Sequence, residues 1–287
     1  MRVGLVCSRV RVEEKLLRDA LARRGADVDL VDDRRLTLTL MRAERVWDVI
    51  AARSVSQTRA LAVLRVFEAW GVPTVNQTSV VERCNDKLAT TCALAAAGVP
   101  QPRTSVAFDP EAALQVAEAM GYPVVLKPLS GSWGRLLARL NDRDAAEAVF
   151  EDRVLLGSPE HSVFYLQEHV RKPGRDIRAF VIGGDVICAI HRHSEHWITN
   201  TARGATTRNC AITDELRRLC ERAADAAGGG ALAVDLLEDG DHLLVSEVNA
   251  TMEFRNSIDV TGVDIPGRLA DFVLAQARTG VPEAVTA

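Results

Sequence analysis

The sequence predicts a mixed α/β (α+β) fold, parallel-stranded at its start and antiparallel at its end, on two features of its 287 residues. Short apolar runs alternate with amphipathic helical stretches in the first part, the pattern of a largely parallel sheet. In the last third, apolar runs fold back at Gly183-Gly184-Asp185 and at Asp239-Gly240-Asp241, the pattern of β-hairpins. A 47% hydrophobic, 26% charged composition is ordinary for a soluble globular chain, and domains of roughly 150 residues suggest about two of them.

Each element has its own signal. A short apolar strand at 3–7 leads into a helix over 13–24, where Leu16, Leu17, Ala20 and Leu21 keep helical spacing up to Gly25. Strands follow at 28–31 and 46–51, then a helix over 56–70 closed by Gly71 and a short strand at 74–76. A single helix is expected over 82–97, stopped by Gly98-Val99-Pro100, and another over 110–120. Gly121-Tyr122-Pro123 then turns into the buried strand Val124-Val125-Leu126-Lys127, with a helix at 145–150 and a strand at 163–170 beyond it. The first hairpin pairs 176–182 with 186–193, and the second pairs 232–238 with 242–249. Between them Thr213 caps a helix that carries Asp214 and Glu215 in its first turn and ends before Gly228-Gly229-Gly230. The stretch after Gly280 reads as a frayed end.

Composition narrows the function. A net charge of −4 argues against nucleic acid as the main partner. No run approaches the roughly 18 apolar residues of a membrane span, and no secretory leader is recognisable, so a cytoplasmic location is expected. Six scattered cysteines without a C-x-x-C pair read as reduced thiols. The first strand is not followed by G-x-G-x-x-G, which leaves a dinucleotide site there unsupported. Only Lys15, Lys87, Lys127 and Lys172 are lysines, against 31 arginines. A compact ammonium that reaches a phosphate is one reason to keep a lysine in such a chain, and chance is the other.

Three constellations carry chemistry. Lys127 at a strand end precedes Ser130-Gly131-Ser132-Trp133-Gly134-Arg135, where glycines let backbone N–H groups approach phosphate oxygens. A plain hairpin turn accounts for those glycines equally well. Glu247 and Asn249 lie two apart on a strand and share a face. Asp235 joins them if paired residue numbers sum to an even value, as an odd loop over 239–241 would allow. Three oxygen-bearing side chains aimed at one point suit Mg²⁺. Gln167-Glu168-His169-Val170 ends a strand, and Lys172-Pro173-Gly174-Arg175-Asp176-Ile177-Arg178 follows it. Backbone there could read an adenine edge, with a carboxylate for ribose hydroxyls. The run His191, His193, His196 has metal-like spacing but no nearby Cys, and its members flank Arg192, which reads better as a mark of substrate choice.

The order of these pieces, from Lys87 to Glu247-x-Asn249, resembles the ATP-grasp superfamily and more narrowly the RimK-type amino-acid ligases. SVSQTRALA (54–62), GYPVVLKP (121–128), GSWGRLLA (131–138), KPGRDIR (172–178), HWITNTARG (196–204) and TMEFRNS (251–257) are similar to LysX-type ligases, which attach α-aminoadipate to the carrier protein LysW. The resemblance runs from residue 3 to about 274. It implies an ATP-grasp fold with a pre-ATP-grasp domain at 1–84, a mobile lid domain at 85–170 and a catalytic antiparallel-sheet domain at 171–287.

It also implies residue roles. Lys87 and Lys127 would bind the α- and β-phosphates, with Ser130, Gly131, Ser132, Trp133, Gly134 and Arg135 closing over the β/γ end. Gln167, Glu168, His169 and Val170 would hold the adenine, Asp176 would lie near the ribose, and Asp235, Glu247 and Asn249 would hold Mg²⁺. Arg178 and Arg192 would face the γ-phosphate or acidic substrates, and together with Lys127 they form the implied catalytic set, Arg192 facing the oxyanion. Asn200 (also toward the nucleotide), Thr201, Arg203 and an Arg255-Asn256-Ser257 turn would recognise the amino acid.

The implied reaction joins an α-aminoadipate- or glutamate-like amino acid to the terminal Glu of a small acidic LysW-like carrier, using ATP and Mg²⁺, in a dimer or tetramer. Arginines at 175, 178, 192, 203, 208 and 255 suit acidic substrates. The alternatives are a RimK-like ligase adding glutamate to another protein or a cofactor, and a non-catalytic ATP-binding module. The intact Asp235, Glu247, Asn249 set weighs against the last.

Overall fold

The computed structural model describes residues 1–131 and 134–279. The expectations for Ser132, Trp133 and the stretch after Gly280 lie outside the described residues.

The chain opens with β1 (Arg2–Cys7), α1 (Val12–Arg23), β2 (Asp27–Asp32), β3 (Val49–Ala52), α2 (Gln57–Ala69) and β4 (Thr74–Val75). Their four strands form a parallel sheet ordered β2-β1-β3-β4. Two helices follow, α3 (Thr78–Asn85) and α4 (Lys87–Ala96). A second unit holds β5 (Thr104–Ala107), α5 (Pro110–Met120), β6 (Val124–Lys127), β7 (Ala138–Leu140), α6 (Arg143–Leu156) and β8 (Phe164–Glu168), its antiparallel sheet ordered β5-β8-β6-β7. The last part contains β9 (Arg175–Ile182), β10 (Asp185–His193), β11 (Thr206–Cys210), α7 (Asp214–Ala227), β12 (Ala231–Asp239), β13 (His242–Asn249), α8 (Arg255–Thr261) and α9 (Ile265–Thr279). Its five strands are antiparallel, in the order β11-β10-β9-β12-β13.

Strand alternation divides the large sheet between two cores. Phe180, Ile182, Ile190, Ala231 and Ala233 pack with Val3, Leu5, Leu17 and Leu21 of the parallel unit and with α9. On the opposite face Val181, Ala189, Leu232 and Val234 pack on Leu216, Leu219 and Ala223 of α7. The second unit closes its own core around Phe150, Phe164 and Leu166. Among the described residues no helix is long and apolar enough to cross a membrane.

Two expectations change in detail. The helix expected over 82–97 is two helices, because Asp86 leaves helical geometry (φ −110°, ψ 112°) and caps α4. Its carboxylate accepts hydrogen bonds from the amides of Leu88 at 2.8 Å and Ala89 at 3.0 Å, which makes Lys87 the first residue of α4. The second hairpin turns through two residues, Gly240 and Asp241, since Asp239 already pairs with His242. That register alone would set Asp235 opposite Ser246. A β-bulge intervenes: Leu236 pairs with Val245 but Asp235 with Glu247, and Ala233 with Asn249. The bulge, not an odd loop, brings the two acids together.

Candidate active site

One cleft lies where the second unit faces the large sheet, with the tip of the parallel unit closing one side. Lys87, Lys127, Gly131, Gly134, Arg135, Gln167, Glu168, His169, Val170, Asp176, Arg178, Arg192, Asn200, Asp235, Glu247 and Asn249 all line it. A recess adjoins it, sharing Arg11, Arg178, Arg192 and Glu253 and adding Glu13, Thr201, Arg255, Asn256 and Ser257. The expected Arg255-Asn256-Ser257 turn is the first turn of α8. Two residues stand apart from both. Ser130 donates to Glu160 at 2.6 Å, and Arg203 donates through Nη2 to the Gly134 carbonyl at 2.8 Å.

The large sheet supplies a ladder of charge. On β9, Asp176 and Arg178 share a face; β10 sets Arg192 opposite Asp176, and β12 sets Asp235 opposite Arg178. Arg192 grips Asp176 with two hydrogen bonds of 2.7 and 2.8 Å, and Arg178 grips Asp235 with two more of 2.7 and 2.8 Å. A second arginine reaches Asp235, whose Oδ1 lies 3.3 Å from Arg192 Nη2. Burial pushes the Asp235 carboxyl up, but Arg178 and Arg192 outweigh it and hold the pKa at about 2. Burial alone would lower the Arg192 pKa, yet Asp235 and Asp176 raise it. Asp176 also accepts from Thr199, whose hydroxyl in turn takes a 2.6 Å hydrogen bond from Lys172. Both Asp176 oxygens are thus engaged, Oδ1 by Arg192 and Oδ2 by Arg192 and Thr199, and the carboxylate anchors Arg192 at the cleft.

Lysines supply the rest of the positive charge. Lys87 Nζ donates to the Gly131 carbonyl at 3.0 Å and lies 3.6 Å from Glu247 Oε1. Lys127 ends β6 inside the cleft; burial drives its pKa down to about 8, Lys87 adds to that, and Glu247 and Asp235 oppose it. Lys172 also lines the cleft and is lowered chiefly by burial, against the pull of Asp176. Three of the four lysines therefore converge here, and only Lys15 is elsewhere.

At the far end, Glu168 accepts from the Arg103 amide at 2.7 Å, while Gln167 donates to Thr104 Oγ1 at 3.1 Å and Tyr165 Oη at 3.3 Å. Trp197 forms an aromatic wall, its ring centroid 6.2 Å from that of His169 and 5.9 Å from the Arg139 guanidinium. Neither Trp197 nor Asn85 was singled out by residue type or spacing, although both line the cleft and Asn85 Nδ2 is buried without a partner. Lys172 carried a signal in the scarcity of lysine.

His191 and His193 alternate with Arg192 along β10, so they leave the sheet on the face away from the cleft, their rings 5.9 Å apart. They do not flank a substrate there. Among the described residues no cluster of three or more His, Cys, Asp and Glu side chains is arranged for a metal. The Asp235, Glu247, Asn249 set fits a different kind of ion. Two carboxylates meet across the bulge, and Asn249 Nδ2 is 3.4 Å from Asp235 Oδ2. So few oxygen donors suit Mg²⁺, which keeps waters and shares phosphate oxygens.

Comparison with known proteins agrees with this geometry. Residues 84–273 match the RimK-like ATP-grasp domain, and residues 3–83 match the LysX preATP-grasp domain. The α-aminoadipate–LysW ligase LysX of Saccharolobus solfataricus is 39% identical over 236 residues, covering 82% of this chain and 84% of the relative. The glutamate–LysW ligase ArgX of Sulfurisphaera tokodaii is 32% identical over 276 residues, covering 95% and 98%. The crystal structure of a RimK domain ATP-grasp protein from Sphaerobacter thermophilus is 29% identical and superposes with a TM-score of 0.79, covering 96% of this chain and 100% of that one. By family model, relatives and fold alike, the chain belongs to the RimK-like ATP-grasp family of ATP-dependent ligases.

Proposed function

We propose that this chain joins an α-aminoadipate- or glutamate-like amino acid to the terminal Glu of a small acidic LysW-like carrier, through an acyl phosphate made from ATP. The observation that carries the reading is the junction of two sites at shared arginines: a lysine- and carboxylate-lined cleft, and a recess lined by Glu13, Glu253 and Arg255. The proposal includes the three-domain division at 1–84, 85–170 and 171–287, a cytoplasmic location and a homo-oligomer.

A carboxylate resists attack by an amine, so phosphorylation must come first, and that step needs positioning and charge neutralisation more than a covalent group. Lys87 and Lys127 take the α- and β-phosphates. Gly131, Gly134 and Arg135 cover the β/γ end, while Gln167 to Val170 and Trp197 enclose the base. Asp235, Glu247 and Asn249 would hold Mg²⁺, which when bound neutralises phosphate charge. Arg178 and Arg192, fixed by buried carboxylates, point donors at the carboxylate and at the oxyanion that forms as the amine attacks. Thr201, Arg255, Asn256 and Ser257 hold the amino acid, with Asn200 between the two sites.

The test is ADP release from the purified chain with ATP, Mg²⁺, a LysW-like carrier and candidate amino acids, with intact-mass analysis of the carrier. One amino-acid mass added to the carrier, lost in Asp235→Ala, is the expected result. ADP release with glutamate and some other acceptor, the carrier mass unchanged, would favour a RimK-like ligase; nucleotide binding without turnover would leave a binding module.

A further inference from the structure

The recess beside the catalytic cleft holds two carboxylates and four guanidiniums, most of them already satisfied. Glu253 is ion-paired to Arg11 at 2.9 Å, and Arg11 also holds Glu14 at 2.9 Å. Arg178 and Arg192 are fixed on Asp235 and Asp176. Two charges remain. Arg255 forms no ion pair among the described residues, and neither does Glu13, which is only 4% exposed. The Glu13 carboxylate opens on the recess and accepts no hydrogen bond among the described residues; Arg11 and Arg53 act on it only through space, which leaves its oxygens to a donor that a ligand brings. The α1 sequence makes the contrast sharp: Glu14, the next residue, is fully buried yet held by both Arg11 and Arg53. Glu13 sits in the same first turn, where the helix end favours a negative charge, and lines the recess.

One vacant acid and one vacant base at a single recess are the complement of a zwitterion. On the ligase reading above, which this inference deepens, we infer that Glu13 binds the amino group of the incoming amino acid and Arg255 one of its carboxylates. The amino acid then enters with its nitrogen toward the parallel unit, in the recess that shares Arg178 and Arg192 with the catalytic cleft. Glu13 is a binding and positioning residue. It selects for a cationic nitrogen and sets that nitrogen's approach.

Calorimetric titration of the full chain with Mg²⁺ and ADP tests this, using two matched pairs: L-α-aminoadipate against adipate, and L-glutamate against glutarate. The wild type should prefer the amino member of its substrate pair by roughly tenfold to a hundredfold, the range of a charge-assisted hydrogen bond. In Glu13→Gln that preference should fall to near one, with adipate or glutarate affinity and ADP affinity unchanged. Arg255 is exposed, so Arg255→Gln folds whatever Glu13 contributes to α1; it should weaken both members of the pair equally. A Glu13→Gln protein that keeps the wild-type preference, or an Arg255→Gln protein that binds both members as before, overturns the inference. If the wild type still modifies its carrier in either case, the ligase reading stands without it. A wild type that binds ADP but no member of either pair, and modifies no carrier, sinks both.

Discussion

Lys127 must carry a charge to hold a phosphate, yet its burial beside Lys87 brings its pKa down to about 8. Bound phosphates favour the ammonium and raise that value, so nucleotide binding takes up a proton above pH 8. ATP affinity should be constant below about pH 7 and weaken by up to tenfold per unit as pH rises past 8. Lys127→Arg, charged throughout, should flatten the profile between about pH 7.5 and 9.5; an unchanged slope would assign the titration to another group. Asp235 shows the opposite sign. Its pKa of about 2 lies below the unfolded carboxylate value of roughly 3.9, so its stabilisation is present above pH 4 and lost as pH falls toward 2. Asp235→Asn leaves two arginines facing a neutral amide, one of them fully enclosed, and should cost about 3–5 kcal/mol in denaturant unfolding. Residue type alone pointed to both positions. It did not show that Asp176 pairs with Arg192, because a bidentate pair between neighbouring strands depends on register.

Among elements, the junction of α3 and α4 governs Lys87. Asp86→Ala removes two capping hydrogen bonds and should lower stability by about 1 kcal/mol. Because Lys87 begins α4, the same change should weaken ATP binding severalfold while leaving amino-acid affinity intact; equal ATP affinity would show that Lys87 is placed from elsewhere. The Asp86 signal was legible in principle, since Asp two residues before a leucine-containing run is an ordinary cap. The helical spacing of Ile265, Leu269, Val273 and Ala277 in α9 was legible too, and no expectation used it. The strands β5, β7 and β11 were not legible. They run four, three and five residues, and β11 (Thr-Thr-Arg-Asn-Cys) is a polar edge with no alternation to read. Nor could the bulge at Ser246 be read, because a register shift is chosen by packing on both faces of the sheet.

At the scale of the molecule, the parallel unit and the large sheet share one core, whereas the second unit has its own. Asn76 strengthens the first union, bonding Ala231 N and O and the Ala250 carbonyl at 2.7–2.8 Å. The second unit meets the rest across the cleft, where its loop is tied by Lys87 to Gly131 and by Arg203 to Gly134. Arg203, expected to recognise the amino acid, fastens this loop through one of its nitrogens. Arg203→Ala should let water reach the acyl phosphate, raising the ATP consumed per amide formed severalfold above one with little change in amino-acid KM. A ratio that stays at one would place the barrier to water elsewhere. The resemblance implied a three-part division of the chain; the shared core of the parallel unit and the large sheet came only with the structure.

The convergence of nearly every lysine on one cleft has a chemical cost for the enzyme itself. An acyl phosphate is an acylating agent, and on the proposed mechanism it forms in a cleft lined by three lysine amines, which stay unreactive only while bound phosphates hold them protonated. Guanidiniums, charged at all working pH values, are inert to it. Whenever the attacking amine is late and the phosphate contacts loosen, Lys127, whose pKa falls to about 8 without them, is open to self-acylation, and the enzyme's lifetime during turnover depends on how quickly the rightful amine arrives.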